Sequence, residues 1–159
     1  MTGSTVHTAY LALGSNLGDK KRNLLTALTF IAERTGTFSA VSSVYETEPW
    51  GFRSENTFLN QAVAVETLLT PIELMNVTQE IEKEMGRTKT NKRDYEDRII
   101  DIDLIFYDNL IYKSETLELP HPLLHLRQFV LEPLNEICPD FMHPVFRKKI
   151  KEIFHCREK

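Results

Sequence analysis

The sequence predicts an α+β fold with a ferredoxin-like β-α-β-β-α-β core, in which helices pack on the faces of a largely antiparallel sheet. Two segments space their apolar residues as amphipathic helices do, and four others have the composition of strands. Their order along the chain is that of the split βαβ arrangement. The chain has 159 residues, 42% of them hydrophobic, so we expect a single domain over residues 1–159.

The first half of the chain is predicted to form a strand, a helix and two more strands. Residues 7–13 form an apolar strand that ends at Gly14. A helix is expected from Asp19, a favourable N-cap residue, to about Arg34. Two strand-like segments follow at residues 38–46 and 57–66.

The second helix has clear start and stop signals. Thr70 and Glu73 have the spacing of a capping box, and Pro71 occupies the first helical position. Gly86 follows the expected end of the helix. The predicted buried stripe consists of Leu74, Val77, Ile81 and Met85.

The last part of the core is a predicted strand over residues 99–107. A turn at Asp108 and Asn109 ends it, because these residue types favour turns. Short strands are expected near residues 110–112 and 117–119. The chain from residue 122 onwards is predicted to be helical and irregular.

Two carboxylates share one face of the strand over residues 99–107. Alternate side chains of a strand point to the same face, so Asp101 and Asp103 lie together with Ile105 and Tyr107. The other face is apolar throughout: Ile100, Ile102, Leu104 and Phe106. The aspartates stand about 7 Å apart at their bases, close enough for their tips to converge. Mg²⁺ suits such a pair because it takes one or two carboxylates with waters and substrate phosphates. The alternative is a structural pair that faces an arginine or solvent at a sheet edge.

A basic segment precedes the aspartate pair. Its cations are Arg87, Lys89, Lys92, Arg93 and Arg98, interspersed with three acids. Arginine and lysine side chains bind phosphate oxygens. The segment is therefore interpreted either as a lid that closes over a phosphate-bearing substrate or as a solvated charged loop.

An aromatic ring and an amide share a face of the strand over residues 57–66. Phe58 and Asn60 alternate with apolar residues and are followed on their own face by alanines. The ring could stack on a flat polar heterocycle while the amide bonds its edge. The alternative is a packed Phe58 with Asn60 capping a turn. Further aromatic candidates are Trp50, beside Gly51, and Tyr95 and Phe129.

Other motifs are weaker. The segment from Gly14 to Gly18 lacks the Gly-Lys-Ser/Thr ending of a Walker A loop, so turn formation is its expected role. His121 could contact a phosphate or act as an acid, although a lone histidine is more often structural. Gln79 and Glu82 lie outside the predicted apolar stripe and are expected on an ordinary helix surface.

The composition limits the function classes. Nineteen basic and 23 acidic residues give a net charge of −4, which argues against a protein that coats nucleic acid. No apolar run approaches a membrane span, and the N-terminus lacks the features of a signal peptide. Cys138 and Cys156 have no zinc-site spacing. We expect a cytoplasmic protein.

Several of these segments, taken in order, resemble the 6-hydroxymethyl-7,8-dihydropterin pyrophosphokinase family over about residues 8–155. The matching pieces are Tyr-Leu-Ala-Leu-Gly-Ser-Asn ending at Asn16, Val-Tyr-Glu-Thr-Glu-Pro-Trp-Gly ending at Gly51, Phe-Leu-Asn ending at Asn60, Gln-Glu-Ile-Glu-Lys-Glu-Met-Gly-Arg ending at Arg87, Arg-Ile-Ile-Asp-Ile-Asp ending at Asp103, Leu-Pro-His ending at His121 and Arg-Gln-Phe ending at Phe129. The resemblance implies an enzyme of folate biosynthesis that transfers pyrophosphate from ATP to the hydroxymethyl group of a dihydropterin and releases AMP.

The resemblance also implies roles for single residues. Asp101 and Asp103 would bind two Mg²⁺ ions, with Arg98 on the phosphates and Arg87 positioning the reactants in a moving loop. The implied ATP-binding residues are Gln79, Glu82, Lys89, Arg98, Leu104, His121 and Arg127. The implied pterin-binding residues are Thr47, Pro49, Trp50, Gly51, Phe58, Asn60, Tyr95 and Phe129, with Phe129 stacking on the ring.

The chain departs from the family pattern in the basic segment, which is one residue longer, so Lys89 matches a family arginine only approximately. Tyr95 stands where the family has a tryptophan, and Pro122 where it has a tyrosine. No residue is identified as a general base, so deprotonation of the substrate hydroxyl is assigned to water or a phosphate oxygen. The chain is expected to act as a monomer without nucleic-acid or membrane partners. A ferredoxin-like RNA-binding module and an ADP-producing kinase are the alternative functions.

Overall fold

The computed structural model describes residues 5–47, 57–86 and 99–157. Seven strands and four helices, with a short 3-10 turn at Leu124–Leu126, lie in these ranges. In chain order they are β1 His7–Ser15, α1 Lys20–Arg34, β2 Gly36–Val41, β3 Tyr45–Thr47, β4 Phe58–Thr67, α2 Pro71–Glu84, β5 Asp101–Tyr107, β6 Tyr112–Lys113, β7 Glu118–Leu119, α3 Gln128–Ile137 and α4 Ile150–Arg157.

The main sheet has the predicted ferredoxin-like arrangement. Its strands lie in the order β2-β4-β1-β5, and β3 pairs with β4 beside β2. All these pairings are antiparallel. Strands β6 and β7 form a separate two-stranded sheet, close to where two short strands were expected. Fold class and element order are therefore confirmed.

Helices cover both faces of the sheet. Leu24 and Ile31 of α1 and Leu74 and Ile81 of α2 are buried on one face, which we call the α1/α2 face. On the other, the α3 face, the buried residues from the helices and the sheet are Val130, Leu131, Leu134, Ile150, Ile153, Ala62, Ile105 and Phe106. One end of the α3 face carries polar side chains, among them Asn60 and Asp101 on either side of Gly14.

Local start and stop signals were predicted correctly. The Asp19 side chain accepts a hydrogen bond from the Arg22 N–H at 3.2 Å and caps α1. The capping box of α2 forms in both directions between Thr70 and Glu73. Gly86 ends the helix at a φ of 110°, a conformation that favours glycine.

A β-bulge in β5 overturns part of the predicted alternation. Leu11 pairs with Leu104 and Tyr10 with Phe106, so Ile105 is an extra residue between them. Ile105 and Phe106 therefore both face the α3 side, and Tyr107 returns to the α1/α2 side with Leu104. The prediction was wrong for Phe106 and Tyr107. The aspartates lie before the bulge, so their alternation with Ile100, Ile102 and Leu104 holds.

The predicted strand over residues 38–46 is divided into β2 and β3 by Ser42. The Ser42 hydroxyl accepts a hydrogen bond from the Ala62 N–H at 2.9 Å, and the Gln61 amide donates to the Ser42 carbonyl at 2.8 Å. Side-chain bonds thus replace part of the regular ladder. The next N–H, of Ser43, donates to Glu136 of α3 at 3.0 Å.

No helix within the described ranges is long and apolar enough to span a membrane.

The start of β2 cannot accept a side chain at Gly36. A Cβ atom there would lie 1.9 Å from the Glu66 carbonyl oxygen on β4. We expect Gly36→Ala to lower the free energy of unfolding by about 1–3 kcal/mol, the usual cost of overpacking. Urea unfolding measures this, with the exposed Thr37→Ala as the control in the same strand. Equal stability of the two variants would contradict the pairing of Gly36 with Thr67.

Candidate active site

Three strands place polar groups on either side of a strip of the α3 face that carries only a glycine and an alanine. Gly14 of β1 pairs with Asn60 of β4 on one side and with Asp101 of β5 on the other. Two residues earlier on β1, Ala12 pairs with Ala62 of β4 on one side and with Asp103 of β5 on the other. Directly paired residues share a face, and neighbouring strands lie about 4.8 Å apart, so the outer strands are roughly 10 Å apart. We call the strip over Gly14 and Ala12 the trough.

Gly14 forms the floor of the trough. A Cβ atom at this position would lie 3.2 Å from Asn60 Oδ1 and 3.5 Å from Phe58 Cδ1. The amide and the ring therefore approach the backbone of β1 because no side chain intervenes. Turn formation was the predicted role, and for Gly14 it is wrong, since the residue lies inside β1. Gly18, with a φ of 72°, does have a turn conformation.

Thr47 fixes the amide of Asn60. Asn60 is 4% exposed, and its Nδ2 donates to the Thr47 hydroxyl at 2.6 Å. This bond directs Nδ2 toward β3 and leaves Oδ1 over Gly14. Asn60 lies inside β4 and does not cap a turn, so that part of the alternative interpretation is wrong. Thr47, Phe58 and Asn60 lie together at one side of the trough.

The aspartates lie at the other side, next to a buried arginine. Asp101 and Asp103 are half-buried on β5, which is an edge strand of the sheet. Asp103 Oδ2 lies 3.8 Å from Arg127 Nη1, and the guanidinium carbon of Arg127 lies 5.8 Å from the centre of the Phe129 ring. Burial lowers the pKa of Arg127 to about 10, so the side chain remains charged at neutral pH. Asp103, Arg127 and Phe129, all three of them predicted site residues, are therefore neighbours.

The carboxylates suit a cation that keeps water or substrate ligands. Among the described residues, no three His, Cys, Asp or Glu side chains group as a protein-only metal cage would require. Two aspartates on one face match the donor set that Mg²⁺ takes when phosphates complete its coordination. The alternative also has support, because Asp103 faces Arg127 on an edge strand. A binding measurement separates the two interpretations.

Glu82 is buried, which corrects the prediction that it lies on an ordinary helix surface. It is 5% exposed, and its Oε2 accepts a hydrogen bond from the Ile102 N–H at 2.7 Å. Ile102 stands between the two aspartates on the outer edge of β5, where no further strand among the described residues supplies an acceptor. Glu82 therefore holds the strand that carries them. Its spacing of eight residues from Leu74, on the same helix side, was the sequence signal for burial.

His121 covers the same edge and has a defined tautomer. Its backbone N–H donates to the Ile105 carbonyl at 3.0 Å, and its Nδ1 accepts from the Leu123 N–H at 3.1 Å. Burial lowers the pKa of His121, and the charge of Asp101 opposes that shift. The neutral ring therefore carries its proton on Nε2 and acts there as a hydrogen-bond donor.

The remaining predicted residues lie elsewhere or outside the described ranges. Gln79 is exposed on α2. The side chain of Leu104 packs in the α1/α2 core, on the face opposite the aspartates. Those outside the described residues are Pro49, Trp50, Gly51, Arg87, Lys89, Tyr95 and Arg98.

Removing the Glu82 acceptor should destabilise β5. Glu82→Leu leaves the Ile102 N–H buried without its acceptor, which costs about 1–3 kcal/mol of unfolding free energy. Glu82→Gln keeps an amide oxygen that can accept the bond and is the matched control. Hydrogen exchange of the Ile102 amide is the local readout, expected to accelerate in Glu82→Leu. Equal protection in both variants would contradict this role.

His121 should titrate below its ordinary pKa of about 6.5. Because burial depresses the folded-state pKa, the unfolded chain takes up this proton first as pH falls. The stability contributed by neutral His121 is therefore present above about pH 6.5 and declines as pH falls through the folded-state pKa. Long-range ¹H–¹⁵N NMR measures both the titration and the Nε2–H tautomer. A pKa at or above the ordinary value, or an Nδ1–H tautomer, would contradict the geometry.

The chain is similar to known proteins in both sequence and fold. Residues 10–139 match the family described as 7,8-dihydro-6-hydroxymethylpterin-pyrophosphokinase. A 2-amino-4-hydroxy-6-hydroxymethyldihydropteridine pyrophosphokinase of Porphyromonas gingivalis is 46% identical over 139 residues, which cover 85% of this chain and 92% of the relative. The folic acid synthesis protein fol1 of Schizosaccharomyces pombe is 41% identical over 145 residues, which cover 91% of this chain and 20% of that protein.

A solved structure agrees with the fold. The wild-type HPPK-DHPS of Plasmodium falciparum superposes with a TM-score of 0.79 at 17% identity. The superposition covers 99% of this chain, which spans only 45% of that longer protein. At this identity the likeness concerns the fold.

Proposed function

The chain belongs to the 7,8-dihydro-6-hydroxymethylpterin-pyrophosphokinase family, a family of folate-biosynthesis enzymes, and from that premise we propose how its trough performs pyrophosphate transfer. The substrate hydroxymethyl oxygen attacks the β-phosphorus of ATP, the bond from that phosphorus to the AMP oxygen breaks, and the hydroxyl proton is lost. AMP and the pyrophosphorylated dihydropterin are the products. The observation that carries the proposal is the placement of Asn60 and Asp101 on either side of Gly14.

The pterin ring is assigned to the trough. The backbones of the outer strands are roughly 10 Å apart, and we assign the flat bicyclic ring to the face above Gly14 and Ala12. Asn60 Oδ1, held by Thr47, lies beside Gly14 as an acceptor for the edge of that ring. Phe58 and Phe129 supply the aromatic surfaces. We assign Pro49, Trp50, Gly51 and Tyr95 to the same pocket on the family resemblance.

Magnesium-bound ATP is assigned to the side of the trough formed by β5. Asp101 and Asp103 would hold two Mg²⁺ ions, which would neutralise the triphosphate and align the attacking and leaving oxygens. The Arg127 guanidinium lies 3.8 Å from the Asp103 carboxylate. If Asp103 held a cation, the guanidinium would be available to pair with a phosphate oxygen instead. His121 donates from Nε2 to a phosphate oxygen.

Other chain segments complete the nucleotide site in this proposal. Arg87, Lys89 and Arg98 contact phosphates or position the reactants, and Gln79 and Glu82 lie near the base or ribose. Leu104 would contribute through its backbone, since its side chain packs in the α1/α2 core.

Deprotonation of the hydroxymethyl group is assigned to water or a phosphate oxygen. His121 cannot serve as the base in its described state, because Nδ1 accepts the Leu123 N–H and Nε2 carries the proton. A pH–rate profile with one essential side-chain base, abolished by a single substitution, would overturn this assignment.

We further propose that residues 1–159 act as one catalytic domain and as a monomer in the cytoplasm, with ATP and the dihydropterin as partners and no nucleic acid or membrane. Family membership disfavours both the RNA-binding module and the ADP-producing kinase.

Replacing either aspartate should abolish turnover. Asp101→Asn and Asp103→Asn keep the shape but weaken cation binding, so we expect kcat to fall by about two orders of magnitude or more. Phosphorus NMR follows AMP release, and EPR follows Mn²⁺ used in place of Mg²⁺ with a non-hydrolysable ATP analogue. Asp140→Asn, at an exposed position beside Lys151, is the control. Wild-type Mn²⁺ binding in the aspartate variants would favour the structural Asp103–Arg127 pair instead.

A further inference from the structure

We propose that Glu136 is a positioning residue for the dihydropterin: its carboxylate ties residues 43–47 to α3 and thereby holds Thr47 against Asn60. The proposal rests on the assignment of the pterin to the trough. It concerns a side chain outside every predicted site, at the C-terminal end of α3.

One carboxylate joins two separate parts of the chain. Glu136 Oε1 accepts from the Ser43 N–H at 3.0 Å and from the Tyr45 hydroxyl at 2.7 Å. Its Oε2 accepts from the Ser43 N–H at 3.1 Å and from the Ser43 hydroxyl at 3.1 Å. Three donor groups from a three-residue stretch therefore converge on a helix more than 90 residues later in the chain.

The position of Glu136 indicates a role other than general stability. A carboxylate in the last turn of a helix lies at the negative end of the helix dipole, and α3 has no basic residue in that turn. The hydrogen bonds are exposed to solvent, where such bonds contribute little to folding. What they do provide is a fixed geometry between two elements.

The segment that Glu136 holds joins β2 to β3. The regular ladder is interrupted at Ser42, where side-chain bonds to β4 replace part of it, and among the described residues the three residues of β3 pair with β4 alone. Tyr45 pairs with Asn60, and Thr47 pairs with Phe58 and accepts the Asn60 Nδ2 hydrogen. A shift of β3 would therefore reorient the amide over Gly14.

The other end of the link is rigid. Val130, Leu131 and Leu134 of α3 are buried in the core of the α3 face. The same helix carries Phe129 near its first turn, so Glu136 fixes the distance between the Phe129 side and the Thr47 side of the trough. The hydrogen bond to Glu136 raises the pKa of Tyr45 to about 12 and lowers that of Glu136, so both groups keep the required protonation at neutral pH.

Steady-state kinetics of Glu136→Gln test the proposal. The amide retains the size of the side chain but turns one acceptor into a donor facing Ser43 or Tyr45. We expect the KM for the dihydropterin to rise about fivefold or more, with kcat and the KM for ATP changed by less than about twofold. Tyr45→Phe removes only one of the bonds and should give a smaller rise in the same direction.

Glu132→Gln is the matched control. Glu132 lies one turn earlier on α3, carries the same charge, and is not among the groups bonded to residues 43–45. Its substitution should leave both KM values unchanged. An unchanged KM for the dihydropterin in Glu136→Gln would overturn the proposal. So would equal rises of both KM values with a lower Tm, which would mark a general structural role.

Asn60→Ala separates this inference from the function on which it rests. If Asn60→Ala raises the KM for the dihydropterin and Glu136→Gln does not, Glu136 has no positioning role and the trough assignment stands. If Asn60→Ala also has no effect, the trough assignment itself fails.

Discussion

The site depends on one position of β1 that carries no side chain. Gly14 is paired on both sides, so its neighbours Asn60 and Asp101 are fixed by backbone hydrogen bonds of the sheet. A methyl group there would lie against Asn60 Oδ1. The hydrogen-bonded ladder thus sets the spacing between the amide side and the carboxylate side, and the missing side chain lets the Asn60 amide and the Phe58 ring approach the backbone of β1.

The carboxylate side has a cost, because β5 is at the edge of the sheet and its outer polar groups need partners. The Glu82 carboxylate of α2 accepts a hydrogen bond from the Ile102 N–H, and the His121 backbone N–H donates one to the Ile105 carbonyl. Both partners are also residues that the family resemblance places near ATP. The same two residues therefore occupy the outer edge of β5 and are the ones assigned to the proposed nucleotide site.

Much of the fold and part of the site could be predicted from local rules. The capping box of α2 and strand parity at Asp101, Asp103 and Asn60 needed only neighbouring residues. The bulge at Ile105 and the hydrogen bond from the Ile102 N–H to Glu82 depend on partners far along the chain, which no local pattern contains. Two segments with seven predicted site residues lie outside the described ranges, so those residues stay predictions.

Dihydropterin binding to Gly14→Ala tests the central claim most directly. Titration calorimetry with a non-hydrolysable ATP analogue present gives Kd, and thermal unfolding reports the fold. Because the added methyl group occupies the floor of the trough, the account predicts a Kd about tenfold or more above wild type. The Tm is the control for the fold, because the new Cβ would lie 3.2 Å from Asn60 Oδ1, which Thr47 holds in place. Wild-type affinity in a folded Gly14→Ala protein would contradict the assignment of the pterin to this strip of the sheet.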